Sequence, residues 1–466
     1  MTPPRLSTAA RTETLEGWES SLTGRFLAAL FAAYYNESVR YAVLRNYERW
    51  PEHFGKDIDL VVHPNDLALS QRIIQRLAAN LGLSVTARRK RSSHVTYCLV
   101  PAPTEGHESS ILLDLRPDVV HHGLVYLRGE LVLATRRRHA DGFYVPSPAL
   151  ESLAILLHAV IDMRAVRPSY QVRLAELGTG DPAQFRAAAE SAVGRTLAGL
   201  LVECLQAGQP ERALRLRGRL VRACVRRRPG TFVRWLRARA GAAADRVRGW
   251  LRPSGHLVIL VGPDGSGKTT SADLICRRFA GTHIPVSGVY LGAQAPLLPT
   301  RRLCQQIRKR LAGGAAKVKP VKDVTRRQRL SGLVHIMADK WLRYLVYVRP
   351  RLARGEVVVL DRYFYDLLTF PHPLVQRPRV EALVMRLIPE PALAFCLAAD
   401  PAVITARKNE LTVAETERQI ACYRGLGRWV RNFREVPADG DLIAGIDRMA
   451  ELVLALYAQQ RSPERV

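Results

Sequence analysis

The residues best equipped for chemistry fall within positions 256–280. Gly262-Pro263-Asp264-Gly265-Ser266-Gly267-Lys268-Thr269 matches the spacing GxxxxGK[ST] at every fixed position. Glycines let the backbone curl so that successive N–H groups face one concavity, and the helix that follows points its positive end at the same place. Phosphate oxygens are the ligands such a segment suits. Lys268 is expected to reach β- and γ-phosphates, and the Thr269 hydroxyl to help hold Mg²⁺. Asp264, Ser266 and Thr270 complete the expected loop set. A chance glycine-rich turn is the bland alternative. The apolar run 257–261 before the loop and the helical spacing of Ala272, Leu274, Ile275 and Phe279 after it argue against that.

Two further sets of acids have spacings that matter. The run Val357-Val358-Val359-Leu360 ends in Asp361-Arg362-Tyr363, which reads as a buried strand with a carboxylate at its carboxyl end, where ligands bind in open parallel sheets. Beside a phosphate loop such a carboxylate can order Mg²⁺ and its waters. Near the other end of the chain stands Lys56-Asp57-Ile58-Asp59-Leu60-Val61-Val62. Asp57 and Asp59 are two apart on an expected strand, so both carboxylates leave the same face. A second apolar strand over 111–115 carries Asp114. Three carboxylates on neighbouring strands can hold one or two Mg²⁺ ions around a triphosphate. Strand-end acids with no ligand are the alternative for all three.

With these residues in view, the stretch 255–458 is similar to thymidylate kinases. The resemblance rests on Gly262-Pro263-Asp264-Gly265-Ser266-Gly267-Lys268-Thr269-Thr270, a helix containing Ala338-Asp339, the strand before Asp361-Arg362-Tyr363, and an apolar strand ending in Ala399-Asp400-Pro401. It implies a nucleoside monophosphate kinase-like parallel sheet of the P-loop NTPase class. It also implies ATP and Mg²⁺ as cofactors, a phosphorylated small-molecule acceptor, and room for a homodimer. By the same resemblance Asp361 is the magnesium-associated acid, Arg362 grips the acceptor phosphate, and Asp264 lies near an acceptor sugar hydroxyl. Arg407 stands where that family begins a mobile lid, with Lys408 and Arg418 as further lid cations. Two departures concern the acceptor. Lys340 replaces the arginine usual after Ala338-Asp339, offering a point charge in place of a planar fork. The residues after Tyr363 lack the serine-rich continuation and the glutamine of a thymine pocket.

Residues 38–130 resemble nucleotidyltransferases of the polymerase-β-like superfamily, on Asp57, Asp59 and Asp114. Here Arg45-Asn46 occupies the place where that superfamily carries Gly-Ser or Gly-Gly for the triphosphate. The departure implies a different substrate or a catalytically dead domain. A bifunctional nucleotidyltransferase/kinase of polysaccharide or envelope metabolism, an ATP-dependent switch or scaffold, and a kinase for a non-nucleotide phosphate or a sugar, suggested by the altered acceptor positions, are the alternatives to a nucleoside monophosphate kinase.

The elements that must position these groups follow from patterning. At 466 residues the chain is too long for one core, and its 47% apolar share is that of a globular protein. The expected organisation is an α+β nucleotidyltransferase-like domain over 1–145, a helical extension over 146–210, a basic helical linker over 211–253, and the α/β kinase-like domain over 254–466. Amphipathic spacing predicts a helix-like stretch within 13–38 that ends near Asn36, followed by a strand over 41–44. Helical patterns resume over 146–177 and 183–206, where His158 lies in an apolar stripe and reads as a core or interface histidine. The linker is arginine-rich, with Leu236, Val247 and Trp250 interleaved, and is expected to break at Pro229-Gly230. It suits an anionic membrane, a nucleic-acid backbone or a helical bridge packed on one domain, the last preferred because no nucleic-acid-reading motif accompanies it. In the kinase-like half, patterning predicts a strand over 287–291, a poorly patterned basic segment over 301–329 and a long helix over 328–353.

The net charge of +28 suits a polyanionic partner, although arginine-rich, alanine-rich composition also produces it on solvated faces. Seven cysteines, an odd number without CxxC spacing, indicate neither a disulfide framework nor a zinc site. No apolar run approaches the ~20 residues that cross a bilayer, and the N-terminus lacks an apolar signal core, so a cytoplasmic protein is expected.

Overall fold

A computed structural model describes residues 17–90, 94–104, 106, 109–121, 124–227, 229–291, 326–369, 378–407 and 411–461. The chain divides into two units. The first comprises Met1–Ala102, Glu108–Ala243 and Ala458–Val466, and the second Pro103–His107 and Ala244–Tyr457. Each is an α/β unit built on a five-stranded sheet.

In the first unit a 3₁₀ turn, Trp18–Ser20, precedes helix α1, Leu22–Asn36, whose first turn is capped by the Ser21 hydroxyl accepting from the Gly24 N–H at 3.0 Å. The helix-like stretch expected within 13–38 therefore starts as a helix at Leu22 and ends at Asn36, and residues 13–16 lie outside the described ones. Next come β1 (Tyr41–Val43), β2 (Ile58–Val62), α2 (Leu67–Asn80), β3 (Ser84–Lys90), β4 (His94–Val100) and β5 (Ile111–Arg116). The sheet order is β1-β2-β5-β4-β3; β2 and β5 run parallel and the other pairs antiparallel.

Every residue of β2 is buried, because both faces of the sheet are covered. Ile58, Leu60 and Val62 pack into a core with Phe26, Leu30 and Tyr34 of α1 and Ile73 and Ile74 of α2. Side chains alternate along a strand, so Asp59 and Val61 face the other way, toward a helical layer. That layer follows the hairpin β6 (Val119–His121) and β7 (Leu124–Leu127), helix α3 (Gly129–Ala134), and a short pair, β8 (Arg137–Arg138) and β9 (Tyr144–Val145).

Helix α4 (Pro148–Leu157) has proline in its first turn, where a missing N–H costs nothing, and runs into a π-helical turn, His158–Met163. Helices α5 (Pro168–Leu177), α6 (Pro182–Val193) and α7 (Arg195–Gln206) complete a core with Val61 that also takes Ala213, Leu220 and Cys224.

The arginine-rich segment forms helices α8 (Arg217–Arg227) and α9 (Pro229–Leu251). The described residues of α8 end at Arg227 and those of α9 begin at Pro229, and residue 228 lies outside the described ones. Leu220 and Cys224 of α8 are buried, whereas Leu236, Val247, Trp250 and Leu251 of α9 are exposed. Arg349 closes the end of α9 by donating to the Trp250 and Leu251 carbonyl oxygens, each at 2.9 Å.

The second unit starts with β10 (His256–Val261), the phosphate-type loop, α10 (Lys268–Arg278) and β11 (Val286–Tyr290). Residues 292–325, which include the basic segment and Cys304, lie outside the described ones. Helix Arg326–Arg343 continues through a π-helical turn, Tyr344–Val348, into Arg349–Ala353, and Gly355 with φ 82° turns the chain into β12 (Val357–Asp361). Strands β13 (Leu393–Ala398) and β14 (Phe433–Pro437) alternate with the helices Pro378–Leu387, Pro401–Arg407, Val413–Arg424 and Leu442–Gln460.

All pairings here are parallel, in the order β11-β12-β10-β13-β14. Strand β10 is central and wholly buried, as its unbroken apolar run requires. Crossovers leave β10 to one side and return past it to the other, which opens a crevice beyond the carboxyl ends of β10 and β12. The six described cysteines are free thiols. Among the described residues no helix is long and apolar enough to cross a membrane.

Candidate functional sites

In the crevice of the second unit the turn from β10 to α10 is shaped by glycine. A side chain at Gly262 would place its Cβ 2.6 Å from the Leu397 carbonyl oxygen and 2.7 Å from the Ser266 Oγ. Gly265 and Gly267 adopt φ of 93° and 87°, the left-handed region that favours glycine. No side chain caps α10, so its first N–H groups are left to a ligand.

The Lys268 ammonium is buried and curls back on the loop, donating to the Gly262 and Pro263 carbonyl oxygens at 2.9 and 2.6 Å, with Asp264 at 3.7 Å. Burial pulls its pKa below the usual lysine range, and Asp264 and Asp361 act against that.

Strand pairing sets Leu260 of β10 opposite Asp361 of β12. Asp361 Oδ2 accepts from the Thr269 hydroxyl at 2.5 Å, while Oδ1 is buried with no hydrogen-bond partner. Ser266 Oγ is likewise buried and unpartnered. Arg362 has φ 69°, unusual for a residue with a side chain, and donates to Asp264 at 2.5 Å. Burial alone would lower its pKa, but Asp264 holds it above the ordinary value. Thr270 is exposed one residue beyond Thr269.

Behind these groups lies a second charged layer. Lys340 Nζ donates to the Tyr363 carbonyl oxygen at 2.9 Å and stands 3.9 Å from Asp366. Tyr423 donates to Asp366 at 3.4 Å. Burial raises the Asp366 pKa and lowers that of Lys340, and each opposes the other's shift. Sequence reading passed over Asp366 and Tyr423. Asp366 lies four residues beyond Arg362, at the start of the short helix Asp366–Thr369, but nothing local to Tyr423 marks it as a partner.

The expected lid cations are placed differently. Arg407 ends the helix Pro401–Arg407 and donates to the Ala438 carbonyl oxygen at 3.0 Å. Arg418 is held by Glu415 and by the Thr369 carbonyl oxygen, each at 2.6 Å. Among the described residues no hydrogen bond or ion pair joins either to the loop, and Lys408 lies outside the described residues.

The first unit brings its three acids together. Asp57, Asp59 and Asp114 each offer a carboxylate oxygen within 4.8 Å of the others. Register explains two of them: β2 and β5 set Asp59 directly against Asp114, and β4 sets Thr96 against Asp114 from the far side. Asp57 lies one residue before β2, not on it as the alternation implied, and is half-buried.

Two buried arginines cross this cluster. Arg45 stands 2.6 Å from Asp59. Arg116 pairs with the other Asp59 oxygen and with Asp114 at 3.1 Å. Thr96 donates to the remaining Asp114 oxygen at 2.5 Å. Burial would raise the Asp59 pKa, but Arg45 and Arg116 hold it down to about 2. Burial and the neighbouring Asp59 charge raise that of Asp57.

The Arg45 segment is anchored from the helical layer. Tyr47 donates to buried Glu151 at 2.5 Å, and Arg173 donates to the same carboxylate at 2.8 Å. His158 is buried in the π-helical turn with Nδ1 3.2 Å from Asp162, and burial lowers its pKa. Arg116 went unnoticed in the sequence although its spacing two residues after Asp114 places both on one strand face.

The two sites differ in their fit to Mg²⁺. In the second unit the Thr269 hydroxyl and the unclaimed Asp361 oxygen provide oxygen donors of the kind a hard cation takes. In the first, a side chain already stands against each oxygen of Asp59 and Asp114, Arg45 meeting Asp59 Oδ2 as an ion pair at 2.6 Å and not as a hydrogen bond. No protein-family model matches this chain, and no curated protein matches it.

Proposed function

We propose that the second unit is an ATP- and Mg²⁺-dependent phosphotransferase of the P-loop kinase type, resembling thymidylate kinase. Its acceptor is a phosphorylated small molecule, most simply a nucleoside monophosphate. The observation that carries this reading is the bond from Thr269 to Asp361, formed at the carboxyl ends of adjoining parallel strands with the second Asp361 oxygen unclaimed.

Phosphoryl transfer demands positioning and charge stabilisation more than covalent help from the protein. The loop N–H groups and the start of α10 would cradle the nucleotide phosphates. Lys268 would exchange its two carbonyl contacts for β- and γ-phosphate oxygens. Thr269 and Asp361 would hold Mg²⁺, directly or through its waters; when bound it offsets charge on the transferring group. Arg362 would turn from Asp264 to the acceptor phosphate, a swing its left-handed backbone poises at the crevice. Arg407 is assigned to a closing lid, which requires its bond to the Ala438 carbonyl to break.

A second reading of the acceptor has its own support. Both acceptor-side cations are matched by carboxylates, Arg362 by Asp264 and Lys340 by Asp366. A charge-balanced pocket with a buried acid suits a sugar hydroxyl, whose proton Asp366 would take, better than a dianionic phosphate.

The test is ADP formation from Mg·ATP with thymidylate, other nucleoside monophosphates, phosphosugars and free sugars, beside Lys268→Ala and Asp361→Asn. Stimulation by one acceptor, lost in both variants, supports the kinase and names its substrate. ATP binding with no stimulation by any acceptor defeats it.

A further inference from the structure

We infer that the acid cluster of the first unit is not a metal site: Arg45 and Arg116 stand where a divalent cation would, and metal-dependent nucleotidyl transfer is closed to this domain. This goes beyond the phosphotransferase reading and does not depend on it.

Coordination requires oxygens open to the ion, and here a side chain already stands against each oxygen of Asp59 and Asp114. Arg116 donates to Asp59 Oδ1, and Arg45 lies 2.6 Å from Oδ2 as an ion pair without hydrogen-bond geometry, so that this buried oxygen has no hydrogen-bond partner. Asp114 meets Arg116 with one and the Thr96 hydroxyl with the other. That leaves Asp57, a single carboxylate, whereas Mg²⁺ wants near-octahedral oxygen coordination.

Charge points the same way. Three aspartates and two arginines sum to one net negative charge, and a divalent ion would reverse that sign beside two guanidinium groups shielded from water. The buried polar atoms of these residues without a hydrogen-bond partner are Arg45 Nε, Arg116 Nε, the Tyr126 hydroxyl and Asp59 Oδ2. The two guanidinium groups seek an oxygen and would repel a cation.

The arginines are also poorly placed to leave. Arg116 extends from the interior face of β5 and is 7% exposed; Arg45 is 9% exposed. The segment carrying Arg45 is tied two residues on through Tyr47 to Glu151 and Arg173. Removing either guanidinium from its acids would strand buried charge, which holds the arrangement closed.

The experiment uses the nucleotide-free full-length chain, with Mn²⁺ as probe and free Mn²⁺ read by electron paramagnetic resonance. Thr269→Ala identifies any binding that belongs to the second unit. The expected result is that Asp57→Asn and Asp59→Asn leave the remaining Mn²⁺ binding unchanged. Arg116→Met, which unmasks an oxygen of each of Asp59 and Asp114, should bind Mn²⁺ at least about tenfold more tightly, an effect reversed by adding Asp57→Asn. Wild-type binding that Asp57→Asn or Asp59→Asn removes overturns the proposal. So does a folded Arg116→Met protein that gains no site. If Arg116→Met does not fold, the comparison of wild type with Asp57→Asn decides alone, since among the described residues no ion pair joins the Asp57 carboxylate to an arginine.

Discussion

The acid cluster of the first unit and the phosphate loop of the second are built from the same materials, aspartates beside buried cations on adjoining parallel strands. They differ in which charges are satisfied by the chain itself. In the first, a guanidinium group stands against each oxygen of Asp59, Arg116 as a hydrogen bond and Arg45 as an ion pair at 2.6 Å without hydrogen-bond geometry. In the second, Asp361 keeps one buried oxygen unclaimed and Lys268 rests on backbone carbonyls, contacts that a phosphate can replace. A site whose buried charges are largely paired within the chain is a structural device. One held together by weaker stand-in contacts is poised for a ligand.

Substitutions that strip the poised site should have the largest effects. Lys268→Ala and Asp361→Asn are each expected to lower acceptor-stimulated ADP formation by about 10³-fold or more, since each removes charge stabilisation from the transferring group. Neither should change hydrogen exchange of peptides spanning β2 and β5. If either variant loosened those peptides, the two sites would not be independent and the contrast would fail.

The paired site should answer in stability and not in catalysis. Asp59→Asn leaves Arg45 buried without its carboxylate and Arg116 with Asp114 alone, a cost of about 3–5 kcal/mol for breaking a buried ion pair. Hydrogen exchange in β2 and β5 should accelerate accordingly, with ADP formation per folded molecule unchanged. Loss of kinase activity in a folded Asp59→Asn protein would instead make the first unit part of the catalytic apparatus.

Asp366→Asn discriminates between the two acceptor readings inside the poised site. If a hydroxyl is the acceptor, removing its proton acceptor should cost about 10²-fold in kcat with KM little changed. With a phosphate acceptor the same change should leave kcat within about tenfold, because no proton need be taken and Lys340 is freed of its partner.

How far the sequence carried these sites depends on how far apart their parts lie. The phosphate loop is one contiguous segment, so spacing alone defined its backbone, and the apolar run ending at Asp361 defined the strand beside it. Asp57, Asp59 and Asp114 were recognisable as acids on neighbouring strands. The register that sets Asp59 against Asp114 and Thr96 is a tertiary result. Arg116 was available from period-two alternation, and Arg45 was noticed only as a departure. Their common closure on Asp59 required the fold. Tyr423 meets Asp366 across 57 residues.

The smallest expected effect is the most diagnostic of a cluster paired within the chain. Arg45 and Arg116 depress the Asp59 pKa from 3.8 to about 2 in the folded state. A depressed carboxyl pKa contributes stability that is present above the unfolded value and is lost as pH falls through the folded one. The window therefore lies between about pH 4 and pH 2, and the shift corresponds to about 2 kcal/mol. Acid unfolding followed by exchange in β2 should show this loss in wild type, and Asp59→Asn should flatten it while remaining less stable at pH 7. Arg45→Met should move the loss to higher pH, since one of the two guanidinium groups holding Asp59 ionised is gone. A β2 profile in that variant identical to wild type would mean that Arg116 alone controls Asp59, leaving Arg45 without the electrostatic role that its contact assigns to it.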